Sequence, residues 1–202
     1  VVTLTLLGQS PDGTMLWTTV IILGVLTGSY TLLGGLQAVM ITDFVQNILL
    51  ILGGLLTLVI GIAKVGGLDA IMAMQTIDGG SMWSLVHPIG HEFGWISILT
   101  GVVILGIHGH CTDQDYIQRA LSARSSYHAK MGAIFAAFLK ILALFICAIP
   151  GVVAAKLFAD MGLQLNQDQA YVRLMIEVLP MGFLGLALAG LLAAIMSSVD
   201  SG

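Results

Sequence analysis

The chain has 202 residues, 57% of them hydrophobic and 9% charged, with a formal net charge of −4 and a mean hydropathy of +1.01. Soluble domains carry about 25% charged residues, so this chain cannot clothe a globular surface in water-seeking groups. Its seven basic residues are too few and too scattered for a phosphate-tracking patch, which excludes nucleic acid as a partner.

A membrane-spanning helix takes about 20 mostly apolar residues. Residues 1–8 read as the tail of one such helix, without the basic start and small-residue cleavage site of a signal peptide. Full spans are expected at 16–33, 38–63, 95–111, 131–155 and 181–199, with Gly34-Gly35 as a short turn between the first two. Together these make one transmembrane domain over 1–202, an all-α membrane bundle. The chain opens on Val1 and closes on Ser201-Gly202 straight after an apolar run, the look of an internal piece of a longer protein.

Between the spans, Asp69 is placed to cap a short helix over 70–75, and Asn166 or Asp168 to cap an amphipathic turn carrying Leu174, Met175 and Val178. Thr112 or Asp113 can start a third short helix, with Asp115 and Arg119 at i,i+4. The segment 112–130 holds Arg119, Arg124 and Lys130, while 64–95 and 156–180 hold most of the acids. The positive-inside rule puts the basic segment in the cytoplasm and the other two outside.

The polar groups inside the spans carry the chemistry. In the last helix Gly182, Gly185, Ala189, Gly190, Ala193 and Ala194 form a small-residue face for close helix approach. Beyond it come Ser197, Ser198, Asp200 and Ser201. Hydroxyl, carbonyl and carboxylate oxygens suit a hard cation such as Na⁺. The Ala194 carbonyl with the Ser197 and Ser198 hydroxyls lies within one turn and forms half a cation cage. The competing role for such serines is back-bonding to the carbonyl four residues earlier.

Asp43 lies about one turn into its span, where an acid needs a cavity, a cation or a partner; the alternative is a wet acid at headgroup level. Lys140 is flanked by apolar runs and is expected to face the bundle interior, toward an acid, a carbonyl or a polar substrate, with snorkelling to the interface as its alternative. Gly106 and Gly109 would permit a helix break that frees backbone groups for binding. His108, His110, Cys111 and Asp113 suggest a transition-metal cluster, but residues two apart point to different sides of a helix. His87, His91 and Glu92 do not have zinc-protease order. Cys111 and Cys147 are far apart and give no reason to expect a disulfide.

The run from Ser29 to Val39, followed by Thr42-Asp43 and Gln46, resembles the sodium:solute symporter family. So does Cys111-Thr112-Asp113-Gln114 with the run from Gln118 to Arg124, which is similar to the sodium/glucose cotransporter branch; Leu139-Lys140, Pro150-Gly151, Leu179-Pro180 and Ser197-Ser198 follow in family order. The resemblance implies a leucine-transporter-type fold of two inverted five-helix repeats, of which this chain would cover the end of core helix three through most of core helix eight. It implies a core sodium site at Ala194, Ser197 and Ser198, completed by a helix outside this chain. It also implies a second sodium site at Asp43, Ser197, Asp200 and Ser201, and a substrate contact at Lys140. The chain departs from the family pattern at Gly106 and Gly109, where sugar-transporting members carry a substrate asparagine and a gating tyrosine, and at Asp200, a serine in the member compared.

The expected function is secondary active transport with Na⁺ as coupling ion and a small polar solute as cargo, a sugar among the candidates. The expected location is multi-pass in a bacterial inner membrane or a plasma membrane. No nucleophile stands beside a base, so enzyme activity is not expected. The alternatives are a cation channel with Asp43 and Asp200 as pore acids, or an integral-membrane metal-dependent enzyme using the cluster from His108 to Asp113.

Overall fold

A computed structural model describes residues 13–74, 83–84, 94–163 and 169–201. The expected tail at 1–8 lies outside them, as do Asp78, His87, His91, Glu92, Asn166 and Asp168. The secondary structure is helical: α1 Gly13–Lys64, α2 Leu68–Met72, α3 Trp95–Cys111, α4 Gln114–Leu121, α5 Ser126–Asp160, α6 Ala170–Val178 and α7 Met181–Ser201. Three of these helices, or four if the bent pair α3 and α4 is one span, are long and apolar enough to cross a membrane. The chain divides into two compact units, Val1–Ile71 with Ile141–Gly202, and Met72–Lys140.

In the first unit α1 holds both of the spans expected at 16–33 and 38–63. Gly35 breaks it with φ 57° and ψ −162°, a left-handed conformation that suits glycine, with helix on both sides. The 48-residue apolar segment Trp17–Lys64 amounts to about 72 Å of helix at 1.5 Å per residue, more than twice the hydrocarbon thickness of about 30 Å. Leu32 and Leu33 beside the break are 89% and 92% exposed. Exposure of large apolar side chains on that scale fits lipid or further helices and not water.

The carboxyl end of α1 closes on two glycines at positive φ, Gly66 at 98° and Gly67 at 93°. Gly67 N–H donates to the Ile62 carbonyl at 2.9 Å, a Schellman-type stop. The next helix starts at Leu68, so Asp69 sits inside its first turn and does not cap it from outside. At α6 the N-cap position falls to Gln169, which makes no side-chain cap bond. The apolar face read from the sequence is there: Leu174, Met175 and Val178 are buried, with Val172 beside them.

Helix α7 lies against α1, and the residue pairs give its direction. A Cβ on Gly53 would meet Ala187, and one on Gly190 would lie 2.7 Å from the Leu49 carbonyl oxygen; further along, Ser197 reaches Asp43. The numbers rise on one helix as they fall on the other, so the two run antiparallel. Met175, Leu179 and Ala187 form one buried cluster of this unit, with Leu56, Ile60, Leu184, Leu188 and Leu191 packed against them. The small-residue face is therefore narrower than the sequence suggested. Gly190 and Ala193 are in it, Ala187 joins it, and Gly182 and Gly185 have nothing within 4 Å of a Cβ. Gly190→Ala is expected to cost about 1–3 kcal/mol of stability by overpacking, because backbone cannot move aside as a side-chain tip can. Gly182→Ala should cost nothing by comparison, as measured by thermal unfolding of the full-length protein in detergent.

Pro150 lies buried inside α5. Proline has no N–H, so it frees the carbonyl four residues earlier, that of Ile146. The Tyr171 hydroxyl of α6 donates to that oxygen at 3.3 Å. Burial, with the Cys147 thiol as the lesser cause, pushes the Tyr171 hydroxyl up to about 12, so it stays a donor at physiological pH. Lys64 Nζ likewise donates to the Glu177 carbonyl and ties the end of α1 to α6.

In the second unit α3 is helical throughout, but Ile98–Val102 is a π turn. The break that Gly106 and Gly109 would permit is not made: the irregularity lies upstream, around Gly101, and Val103–Cys111 is unbroken α-helix. Glycine permits a break without requiring one; here the Gly106 carbonyl also accepts a bond from His110. A 43° bend follows between α3 and α4. Of the two residues proposed to start α4, Asp113 is the cap, its carboxylate accepting from Asp115 N–H at 3.2 Å.

Candidate functional site

The first constellation lies between α1 and α7. Asp43 is 8% exposed. The Ser197 hydroxyl donates to its Oδ1 at 2.5 Å, within the range of a charge-assisted O–H···O⁻ bond. The Asp43 carbonyl accepts from Asn47 Nδ2 at 2.9 Å. Thr27 and Thr57, buried elsewhere on α1, satisfy their hydroxyls on the carbonyls of Leu23 and Gly53 in their own helix. Ser197 instead crosses to another helix.

Ser198 does what an isolated membrane serine does, donating to the Ala194 carbonyl at 3.0 Å. That bond nonetheless sets two cation-type oxygens side by side at the edge of a cavity of about 210 Å³ lined by Gln46, Asn47, Leu50, Ala194, Ser197 and Ser198. The structure thus brings Ala194, Ser197, Ser198 and Asp43 to one place. Asp200 and Ser201 continue the helix, and their side chains are outside the described residues.

The second constellation lies within the other unit. Lys140 Nζ is 3.1 Å from His110 Nε2 and 5.3 Å from the centre of the Tyr116 ring. His110 Nδ1 is 2.9 Å from the Gly106 carbonyl. A carbonyl only accepts, so Nδ1 carries the proton and Nε2 offers its lone pair to the lysine ammonium. Tyr116 stacks on His110 with ring centres 5.2 Å apart. Lys140 therefore has a nitrogen acceptor and an aromatic face as partners, neither of which the sequence reading assigned to it. The signal lay in Gly106 and His110 at i,i+4, which directs the ring nitrogen along the helix. His108 takes a different partner, the Thr112 hydroxyl at 2.7 Å, so the two histidines do not converge. A cavity of about 390 Å³ adjoins the group, lined by His110, Tyr116, Arg119 and His128 among others.

Polar groups gathered within long apolar helices, on an all-α scaffold, define an integral membrane protein of the polytopic type. The family described as "Sodium:solute symporter family" matches residues 5–202. The chain belongs to the sodium:solute symporter family. It is 34% identical over 205 residues to a protein described as "Sodium/myo-inositol cotransporter 2" from Sus scrofa, covering 87% of this chain and 30% of the relative. It is 35% identical over 204 residues to the Bos taurus protein of that description, with the same coverages. It is 29% identical over 212 residues to a "Sodium/glucose cotransporter 4" from Danio rerio, covering 91% of this chain and 32% of the relative. The chain spans about 30% of the length of the curated relatives it matches.

Proposed function

We propose that the protein containing this chain is a secondary active transporter in which Na⁺ moving down its gradient drives uptake of a small polar solute. The cargo class is a polyol or sugar, following relatives described as sodium/myo-inositol and sodium/glucose cotransporters. Na⁺ is held by the Ala194 carbonyl and the Ser197 and Ser198 hydroxyls. A second Na⁺ position uses Asp43, Ser197, Asp200 and Ser201, and Lys140 donates hydrogen bonds to the solute.

The observation that supports this reading best is the Ser197–Asp43 bond between α7 and α1. It joins Ser197 to a buried carboxylate beside a small cavity that Ser197, Ser198 and Ala194 help to line. A cation entering there gains oxygen ligands and meets the negative charge of Asp43. Two helices held by the same ion give a means by which ion binding alters helix packing, and coupling between two ligands is reciprocal.

The test is uptake by the full-length protein in liposomes, with labelled myo-inositol and glucose. Concentrative, saturable uptake under an inward Na⁺ gradient, absent under an equal K⁺ gradient, is the expected result. Uptake indifferent to the cation would overturn the proposal, as would an ion current needing no solute, which would favour a channel.

The sidedness follows from the bias of Lys and Arg toward 112–130. Single thiols should report it: Ser125→Cys protected from an impermeant reagent on intact cells, Asp78→Cys labelled. The reverse pattern would invert every assignment of side.

A further inference from the structure

The cavity between α1 and α7 has a wall that the cation reading above leaves unused. Gln46 Oε1 is buried and has no hydrogen-bond partner, and Gln46 lines the same cavity as Ala194, Ser197 and Ser198. A buried acceptor left unpaired is costly, and such atoms in a folded protein call for an explanation.

The antiparallel register supplies one. Gly53 faces Ala187, Leu49 faces Gly190 and Asp43 faces Ser197. The same progression sets Gln46 opposite Ala194, whose carbonyl is already the partner of Ser198. Gly190 allows the backbones so close that a Cβ would lie 2.7 Å from Leu49 O, which brings the two helices together one turn from Gln46 and Ala194. Asn47, the other amide in the cavity wall, is differently used, its Nδ2 bonded to the Asp43 carbonyl.

We propose that Gln46 is a further cation-binding residue, its Oε1 giving α1 a neutral oxygen ligand that faces the α7 oxygens across the cavity. An amide oxygen is a hard donor suited to Na⁺. Being uncharged, it lets the ion leave more readily than a second carboxylate would. Asp43 supplies the attraction one turn away, and Gln46 a neutral ligand on the same helix. The inference rests on the proposed sodium reading of the Ala194, Ser197 and Ser198 cluster.

The experiment uses the full-length protein and Na⁺ itself as the probe. Gln46→Met keeps length and volume but replaces the hard oxygen by a soft sulfur; Gln46→Glu keeps an oxygen. Gln46→Met is expected to raise the half-saturating Na⁺ concentration about tenfold with the maximal rate at saturating Na⁺ retained. Gln46→Glu should stay at or below the wild-type value. Thermal unfolding separates binding from packing. Without Na⁺, Gln46→Met should be at least as stable as wild type, because no orphaned acceptor is buried, and the stabilisation that Na⁺ adds should shrink.

An unchanged Na⁺ dependence and an unchanged Na⁺-induced stabilisation in Gln46→Met would overturn the assignment, as would a Gln46→Glu variant as impaired as Gln46→Met. If Ser198→Ala still weakens Na⁺ in that case, the sodium site stands and Gln46 alone falls. If wild type shows no Na⁺ dependence, the sodium reading falls and this assignment with it.

Discussion

Lys140→Ala in the full-length protein should raise the KM for solute by about 10- to 150-fold, while the half-saturating Na⁺ concentration changes much less. The magnitude is that of a lost charged hydrogen bond, about 1.5–3 kcal/mol. The proposed role draws on the surroundings of the lysine. Its ammonium is directed by the bare His110 Nε2 at 3.1 Å and by the Tyr116 ring at 5.3 Å. Two of these contacts still leave an ammonium with donors for a ligand, since it carries three. His110→Phe would retain a ring to stack on Tyr116 but remove the acceptor, so it should raise KM by less than Lys140→Ala and leave the Na⁺ dependence alone. Kinetics of Lys140→Ala indistinguishable from wild type, at normal membrane expression, would return the residue to a snorkelling role.

The sequence carried the fold class because bilayer physics leaves few choices: long apolar runs in lipid must satisfy their backbone internally as helices. It also flagged Asp43 and Lys140, since charge within such a run demands a reason. It was less informative about partners. The stripe on α7 mixes glycines that touch α1, such as Gly190, with Gly182 and Gly185, which do not. Small-residue spacing cannot separate these without knowing which helix lies opposite. Residue type and spacing alone do not separate Ser197 from Ser198, and only the family resemblance set Ser197 beside Asp43; in the structure Ser197 bonds to Asp43 and Ser198 to Ala194 in its own helix. Neighbouring positions on a helix point about 100° apart, so only one of them can face Asp43. The helix break that Gly106 and Gly109 would permit is not made, and Val103–Cys111 stays α-helical. Backbone freedom is a permission, and the His110 bond to the Gly106 carbonyl spends it on side-chain placement. The Tyr171 bond to the carbonyl freed by Pro150 was equally hidden, because it depends on how a short surface helix folds back.

Ser198→Ala should raise the half-saturating Na⁺ concentration about tenfold or more, equivalent to about 1.4 kcal/mol, and Asp43→Asn should have an effect at least as large. The two substitutions probe different physics. Ser198 donates only to the Ala194 carbonyl at 3.0 Å, and exposed to the cavity it contributes no packing. Its removal therefore subtracts one oxygen of the proposed site and leaves the helix intact. Asp43→Asn keeps the shape of a buried side chain but removes the charge that attracts the cation. Ser197→Ala is a less clean probe, because it takes away a ligand and also the hydroxyl that Asp43 Oδ1 accepts from at 2.5 Å. A double-mutant cycle separates these. If the Asp43–Ser197 bond and the ion share the site, the double variant should lose less Na⁺ affinity than the two single losses together. Solute affinity measured at low Na⁺ should fall in parallel with Na⁺ affinity, by reciprocity of coupling, and should recover when Na⁺ is raised to saturation. Ser126→Ala, at the start of α5 in the other unit, should change neither. An unchanged Na⁺ dependence in correctly inserted Ser197→Ala and Ser198→Ala proteins would make both serines ordinary membrane hydroxyls, as Thr27 and Thr57 are, and would remove the local basis for sodium binding on α7.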